Sequence, residues 1–353
     1  MDWHRRWSRS IWTSKRNPRG SDAVKAGLAG WLTFVLAMLA SQVQGAPLAA
    51  GQQKFLGSAY SALQAEGFAD DWNKVTPENA GKWASVEAVR GTMNWSALDE
   101  AYRFAKDHGF PFHLHVLVWG QQQPAWVRTL PPDEQRKAVE HWFDALAERY
   151  PDADFVEVVN EALHHPPVGT RKDGGNYARA LGDKGSTGWD WILTAFRMAR
   201  QRFPHARLLI NDYSITRSAK STGQYLAIIE LLQMERLLDG IGLQEHAFET
   251  TPDVPMAMHH ANLDRLAATG LPIYVTELDI DGRSDAQQLK DYQRVFPVFW
   301  EHPGVRGITL WGFRPGLWRD KQHAYLIRPD GSERPPLTWL REYVHDTPVV
   351  SSH

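Results

Sequence analysis

The chain has 353 residues, 43% of them hydrophobic and 23% charged, with 39 Lys and Arg against 41 Asp and Glu and no cysteine. This composition supports an ordinary folded core, and the charge balance argues against nucleic acid as a partner. Disulfides and Cys-ligated metals are excluded. Seven of the basic side chains and only two acidic ones fall in residues 1–45, which leaves 32 basic against 39 acidic in the remainder.

That basic stretch leads into an apolar run, Ala26 to Ala40. Fifteen residues suit the hydrophobic part of an export signal better than a bilayer span, which needs about 20. Val43-Gln44-Gly45 offers a cleavage point before Ala46. The expectation is an exported protein, periplasmic or extracellular, without membrane contact after cleavage. An uncleaved anchor formed by residues 26–40 is the alternative. Residues 1–45 form the targeting segment and residues 46–353 one domain, expected to act as a monomer.

Along that domain, short apolar runs alternate with helical periodicity. Strands are predicted at Phe55–Ser61, Trp72–Pro77, Phe110–Trp119, Asp154–Asn160, Arg207–Asp212, Gly240–His246, Pro272–Glu277 and Val305–Trp311. Helical patterns fall at Trp95–His108, Asp133–Tyr150, Trp189–Phe203, Gly223–Leu238, Met256–Thr269 and Ser284–Glu301. Strand followed by helix, repeated around eight strands, predicts an α/β fold, a single (β/α)8 TIM barrel. The longest stretch without a period, Leu163 to Gly188, follows the fourth strand and predicts a long loop on the active-site face.

Chemistry in such a barrel sits where the strands end. Glu161 follows Val158-Val159-Asn160, and Glu277 follows Tyr274-Val275-Thr276. A glutamate just beyond an apolar strand is partly desolvated, which predicts a raised pKa. Two facing carboxylates with separated pKa values are what acetal cleavage needs: an acid for the leaving oxygen and an anion for the oxocarbenium-like carbon.

The segments TPENAGKW (Thr76–Trp83), HVLVWGQQQPAW (His115–Trp126), VVNEAL (Val158–Leu163), LLINDYS (Leu208–Ser214), DGIGLQEH (Asp239–His246), YVTELDI (Tyr274–Ile280) and TLWG (Thr309–Gly312) fall in order on successive predicted strands. Together they resemble family 10 glycoside hydrolases, the retaining endo-β-1,4-xylanases, from about Phe55 to Tyr343. The resemblance implies hydrolysis of internal β-1,4-xylosidic bonds of xylan by double displacement. In it Glu161 is the acid/base and Glu277 the nucleophile, with carboxyl groups about 5–5.5 Å apart.

By the same resemblance Asn160 donates to a sugar 2-hydroxyl, His246 donates to the nucleophile and keeps it ionised, and Gln244 orients the acid/base. Glu78, Asn79, Lys82, His115, Trp119 and Gln122 match the glycone-side wall. Trp311 offers a flat face to the sugar. Asn211 and Asp212 match a strand-end pair behind the site or in direct contact with the sugar. No cofactor is implied. His164-His165 suggest a metal by type, yet no third ligand has matching spacing, so a loop lining the aglycone side is the expectation.

Three positions depart from the family pattern. Gly120 stands where His follows the tryptophan. WGFRPGLW (Trp311–Trp318) has Pro315 in place of Asp, and its second Trp comes one residue early. His113-Leu114 stands where Arg-Gly is usual. These predict an altered grip on the sugar, at about 1–3 kcal/mol per lost contact. Three alternatives stay open: a retaining β-glycosidase of other preference (decorated xylan, short oligosaccharides or another β-glycoside), a catalytically weakened carbohydrate-binding relative, and a metal-dependent barrel hydrolase.

Overall fold

The computed structural model describes residues 45–169 and 175–347. The expected targeting segment, Gly45 apart, lies outside them. Strands β1 to β8 are Phe55–Tyr60, Val75–Pro77, His113–Leu114, Phe155–Asn160, Arg207–Asp212, Gly240–Leu243, Ile273–Leu278 and Val305–Leu310. They pair in parallel in the order β2-β1-β8-β7-β6-β5-β4-β3. A bridge between Val75 and Phe112, with Val75 N donating to Pro111 O at 3.0 Å, brings the two ends of the row together into a barrel. Strands β4 and β7 are buried along their whole length, as strands covered on both faces must be.

The helices are α1 (Phe68–Asp71), α2 (Trp83–Val86), α3 (Ser96–Asp107), α4 (Pro132–Arg149), α5 (Asp190–Arg202), α6 (Ala219–Met234), α7 (Met256–Ala267), α8 (Asp285–Trp300) and α9 (Pro335–Asp346). Helix α6 begins four residues before the predicted start at Gly223. Ser218 caps it, its hydroxyl accepting from Ser221 N at 3.3 Å, and Gly223 sits mid-helix on an open face. Ser284 caps α8 in the same way through Gln287 N. Helix α9 starts on Pro335-Pro336, where a missing N–H costs nothing, and is not among the predicted helical patterns.

The predicted third strand is mostly overturned. Only His113–Leu114 joins the ladder regularly. Beyond it the chain leaves strand geometry, although Leu117 N and Val118 N still donate to Glu157 O and Val158 O. The bend turns the segment from His115 to Gln123 over the end of the barrel. The sixth strand ends at Leu243, so Gln244, Glu245 and His246 belong to the following loop.

The wall beneath that bend is built from indoles. Trp142 of α4 is fully buried, stacked between Trp83 (5.6 Å, 7°) and Trp95 (6.2 Å, 1°), and its Nε1 donates to Leu117 O at 3.1 Å. Trp142→Ala removes a stacked ring and orphans a carbonyl. We expect a loss of about 3–5 kcal/mol in urea unfolding; a loss under about 1 kcal/mol would contradict this packing.

Candidate active site

Register shifts interrupt two strand pairs next to the carboxylates: between Glu157 and Val159 on β4, and between Val275 and Leu278 on β7. A shift re-aims the side chains that follow it. Glu161, Ser214 and Glu245 come just after β4, β5 and β6, and all have positive φ (56°, 54° and 62°). Such strain in non-glycine residues persists only where surrounding bonds over-determine it. Here Glu161 N donates to Asn211 O at 2.8 Å and Glu277 N to Gln244 O at 3.1 Å, so the ladder continues past the strand ends.

The result is a cleft of about 690 Å³ at the C-terminal ends of the strands. Glu78, Asn79, Lys82, His115, Trp119, Gln122, Asn160, Glu161, Gln244, His246, Glu277 and Trp311 all line it. Asn211 and Asp212 do not, and both are fully buried behind it. Asn211 Nδ2 donates to Glu277 Oε1 (2.8 Å) and to Asn160 Oδ1 (3.2 Å). Asp212 accepts from Leu163 N (2.8 Å) and meets His164 Nδ1 (2.7 Å), anchoring the loop after β4.

The two carboxylates are joined by amides. From Glu277, Asn211 reaches Asn160 Oδ1, which also accepts from Gln244 Nε2 at 3.1 Å. Gln244 Nε2 in turn donates to Glu161 Oε1 at 3.1 Å. With Asn160 Oδ1 engaged twice, its donor is Nδ2, which makes one long bond to Glu161 Oε1 (3.5 Å) and has a second hydrogen to give. Glu161 Oε2 accepts from Trp119 Nε1 at 2.9 Å and meets His165 Nδ1. Burial pushes the Glu161 carboxyl up, but the bonds from His165, Gln244 and Trp119 outweigh it, so its pKa lies below the usual carboxylate range. The raised pKa expected from desolvation alone is therefore overturned for Glu161.

At the other carboxylate, His246 lies with Nε2 3.3 Å from Glu277 Oε2 and Nδ1 2.7 Å from Asp279 Oδ2. Burial disfavours its charge, but Asp279 and Glu277 push its pKa up to about 10. The unfolded value is near 6.5, so the folded chain holds a proton that the unfolded chain releases between pH 6.5 and 10. Stability from His246 is fully present below pH 6.5 and lost as pH rises toward 10. Lys74 and Lys54, lowered to about 7 and about 8 by burial, act with opposite sign. The clean measurement is therefore the stability difference between wild type and His246→Gln, expected to shrink from pH 6.5 to 10. A difference independent of pH would refute the charged state.

On the glycone-side wall, Lys82 Nζ donates to Asn79 Oδ1 (2.9 Å) and stands 5.2 Å from the Trp119 ring. Burial lowers Lys82 and raises Glu78, while their mutual attraction opposes both shifts. His115 Nδ1 meets Glu157 Oε2 at 3.0 Å, and burial lowers its pKa to about 4. Its ring packs edge-on to Trp311. Below the cleft the barrel interior is polar. Lys74 Nζ donates to Thr76 Oγ1 (2.5 Å) and Thr309 Oγ1 (3.0 Å) and meets His113 Nδ1 (2.9 Å).

Several residues that border the cleft or hold it escaped the sequence reading. Asp279 lies two residues beyond Glu277 in a segment already singled out, yet only the fold brings it to His246. Tyr213, Phe248 and the half-exposed Trp318 add an aromatic rim, with Trp318 packed edge-on to His246 at 4.5 Å. Gln64 fixes the Pro315 segment: its Oε1 accepts from Phe313 N (2.9 Å) and Arg314 N (2.8 Å), and its Nε2 donates to Arg314 O (2.8 Å) and Pro315 O (3.3 Å).

Among the described residues, the groups with metal-ligand spacing are His260, Asp264 and His302, and His115, Glu157 and Glu277. Neither includes His164 or His165. In the first, Gly304 N donates to His302 Nδ1 (3.1 Å), which leaves Nε2 to carry the proton toward Asp264. A larger hollow of about 800 Å³ lies between α3 and α4. Its Trp95 is covered by Trp142 on one face and approached by Arg149 on its ring, so it offers a sugar no open platform.

Residues 37–343 match the model of glycosyl hydrolase family 10. Endo-1,4-beta-xylanase B of Cellvibrio japonicus is 36% identical, over 82% of this chain and 45% of that protein, so the chain spans less than half the length of this relative. Endo-1,4-beta-xylanase A of Fusarium oxysporum f. sp. lycopersici is 31% identical over 85% of this chain and 97% of that protein. Native xylanase 10B from Thermotoga maritima has a similar solved structure, with a TM-score of 0.70 and 25% identity over 84% of this chain and 97% of that one. Matched over most of its length on an eight-stranded barrel, the chain belongs to glycosyl hydrolase family 10.

Proposed function

We propose that the chain is a retaining endo-1,4-β-xylanase that cleaves internal bonds of xylan. The observation that carries this reading is the pair Glu161 and Glu277 in one cleft, linked through Asn211, Asn160 and Gln244 and flanked by Trp119 and Trp311. The names of the relatives above support the substrate.

In the first step Glu277 attacks the anomeric carbon while Glu161 passes a proton to the leaving oxygen. A glycosyl–enzyme ester forms. Glu161, now a carboxylate, takes a proton from water, and the resulting oxygen nucleophile displaces Glu277 with net retention. The cationic His246 and the Asn211 amide stabilise Glu277 as it departs with negative charge. Asn160 Nδ2 is the donor for the 2-hydroxyl, a bond that strengthens in the transition state. The apolar faces of the indoles hold the C–H surface of the ring.

A narrower preference within the same chemistry is favoured by Gly120 and the Pro315 segment, which alter the sugar-facing surface. Export rests on the apolar run 26–40. Among the described residues no helix is long and apolar enough to cross a membrane. The test is a product profile on xylan, β-glucan and aryl β-xylosides, with the anomer of the first product read by NMR. Short xylo-oligosaccharides of β configuration are expected. An α first product, or β-glucan favoured over xylan, would overturn the mechanism or the substrate respectively.

A further inference from the structure

One titratable side chain at the acid/base is unused by a two-carboxylate scheme. The Nδ1 of His165 meets Glu161 Oε2, the oxygen that also accepts from Trp119, and His165 N donates to Glu161 O at 2.7 Å. Its ring borders the cleft and is about one-fifth exposed (21%). The loop that carries it is tied down by Asp212 through Leu163 N and His164, and the His164 ring stacks on Tyr213 at 4.0 Å.

The same loop accounts for the absent side chain at position 120. A Cβ on Gly120 would lie 2.1 Å from His165 O and 2.3 Å from Pro166 O. These are backbone atoms that cannot swing aside, so no side chain fits at 120 while the loop holds this course. Gly120 and His165 are one arrangement: the first leaves room for the backbone of the loop that carries the second to Glu161.

We propose that His165 is a positioning residue that shares the catalytic proton with Glu161, and that Gly120 is the position that admits it. This rests on Glu161 being the acid/base. The pair carries one proton between Nδ1 and Oε2. In the first step the proton leaves Oε2 for the glycosidic oxygen as that C–O bond breaks and the Glu277 ester forms. What remains is a carboxylate and a neutral imidazole. In the second step Glu161 takes a proton from water as the water oxygen bonds to carbon and the ester breaks, and the pair regains its proton.

Lys82 and His115 from the β2 and β3 side, Asp212 and His164 behind the loop, Tyr213 with its ring 5.9 Å from that of His165, and Glu277 across the cleft are ionisable groups facing the pair. Two groups coupled this closely lose protons as a unit.

The test compares His165→Ala, His165→Gln and Gly120→Ala on xylotetraose, whose leaving group needs protonation, and on 2,4-dinitrophenyl β-xylobioside, whose leaving group does not. For His165→Ala we expect kcat/KM on xylotetraose to fall on the order of 10²-fold with little change on the aryl substrate. Its alkaline pH limb should shift, because the Glu161 carboxyl no longer shares its proton with an imidazole. His165→Gln, which still donates one hydrogen bond, should recover part of the rate but not the pH limb. Gly120→Ala should reproduce His165→Ala by displacing the loop.

Equal losses on both substrates with an unchanged pH profile, or no loss on either, would overturn the proposal. Glu161→Ala separates it from the reading beneath it. If that variant keeps its xylotetraose activity, the acid/base assignment fails. If it shows the leaving-group dependence and His165→Ala does not, only the role of His165 fails. In the Glu161→Ala background, His165→Ala should add nothing further.

Discussion

Glu277→Gln is expected to reduce turnover of xylan by roughly 10⁴-fold or more while the fold survives. An amide keeps the size of the side chain, but its single oxygen can accept from Asn211 Nδ2 or from His246 Nε2 and not from both, because the two donors address different oxygens of Glu277. It cannot form the glycosyl ester, because an amide oxygen is a poor nucleophile and no negative charge meets the oxocarbenium-like carbon. The cost to stability is the loss of one anion beside a cationic His246, a partner that Asp279 still holds at 2.7 Å. Reducing-sugar release together with a thermal unfolding curve checks both halves. Near wild-type release would remove Glu277 from the mechanism.

The second large effect concerns Glu161→Ala and depends on the substrate. On xylan, whose leaving alcohol needs a proton, we expect a loss of about 10²–10⁴-fold in kcat/KM. On a dinitrophenyl glycoside the first step needs no acid and should proceed. The second step then lacks its base, so the glycosyl–enzyme accumulates and an initial burst of phenolate precedes a slow steady state. Azide, a small anion that needs no base, should speed that steady state and give a glycosyl azide of retained configuration. A burst-free variant that azide does not help would count against this role.

The sequence carried the barrel further than the site. Seven of the eight apolar runs became regular strands within a few residues, because burial on both faces forces a continuous run of Val, Ile and Leu into the chain. The run Phe110–Trp119, which also carries Pro111, His113 and His115, bends after Leu114, where Trp142 Nε1 and β4 take up its backbone groups. Glu161 and Glu277 were legible because each ends a strand.

The sign of the shift at Glu161 was not. Desolvation can be read from a local run, but it is outweighed by donors from Trp119, His165 and Gln244, which the fold gathers from three segments. Asp279 and His165 were hidden for the same reason: each was in view as a residue, and neither had a partner until the chain closed. The departure at Gly120 was visible as a loss and acquired its physical meaning only from the backbone of a loop 45 residues away.

The four bonds of Gln64 have a consequence for exchanging parts between relatives. A short turn after β1 and the loop after β8 form one cassette, bridged by Gln64 across 249 positions of sequence and by Arg314 Nε, which donates to Glu66 O at 2.8 Å. Grafting a new loop at 312–318 without its matching turn would leave Phe313 N and Arg314 N without their acceptor in a buried place, a penalty of about 1–3 kcal/mol for each. Chimeras that move the two segments together should keep their fold where those that move one alone do not.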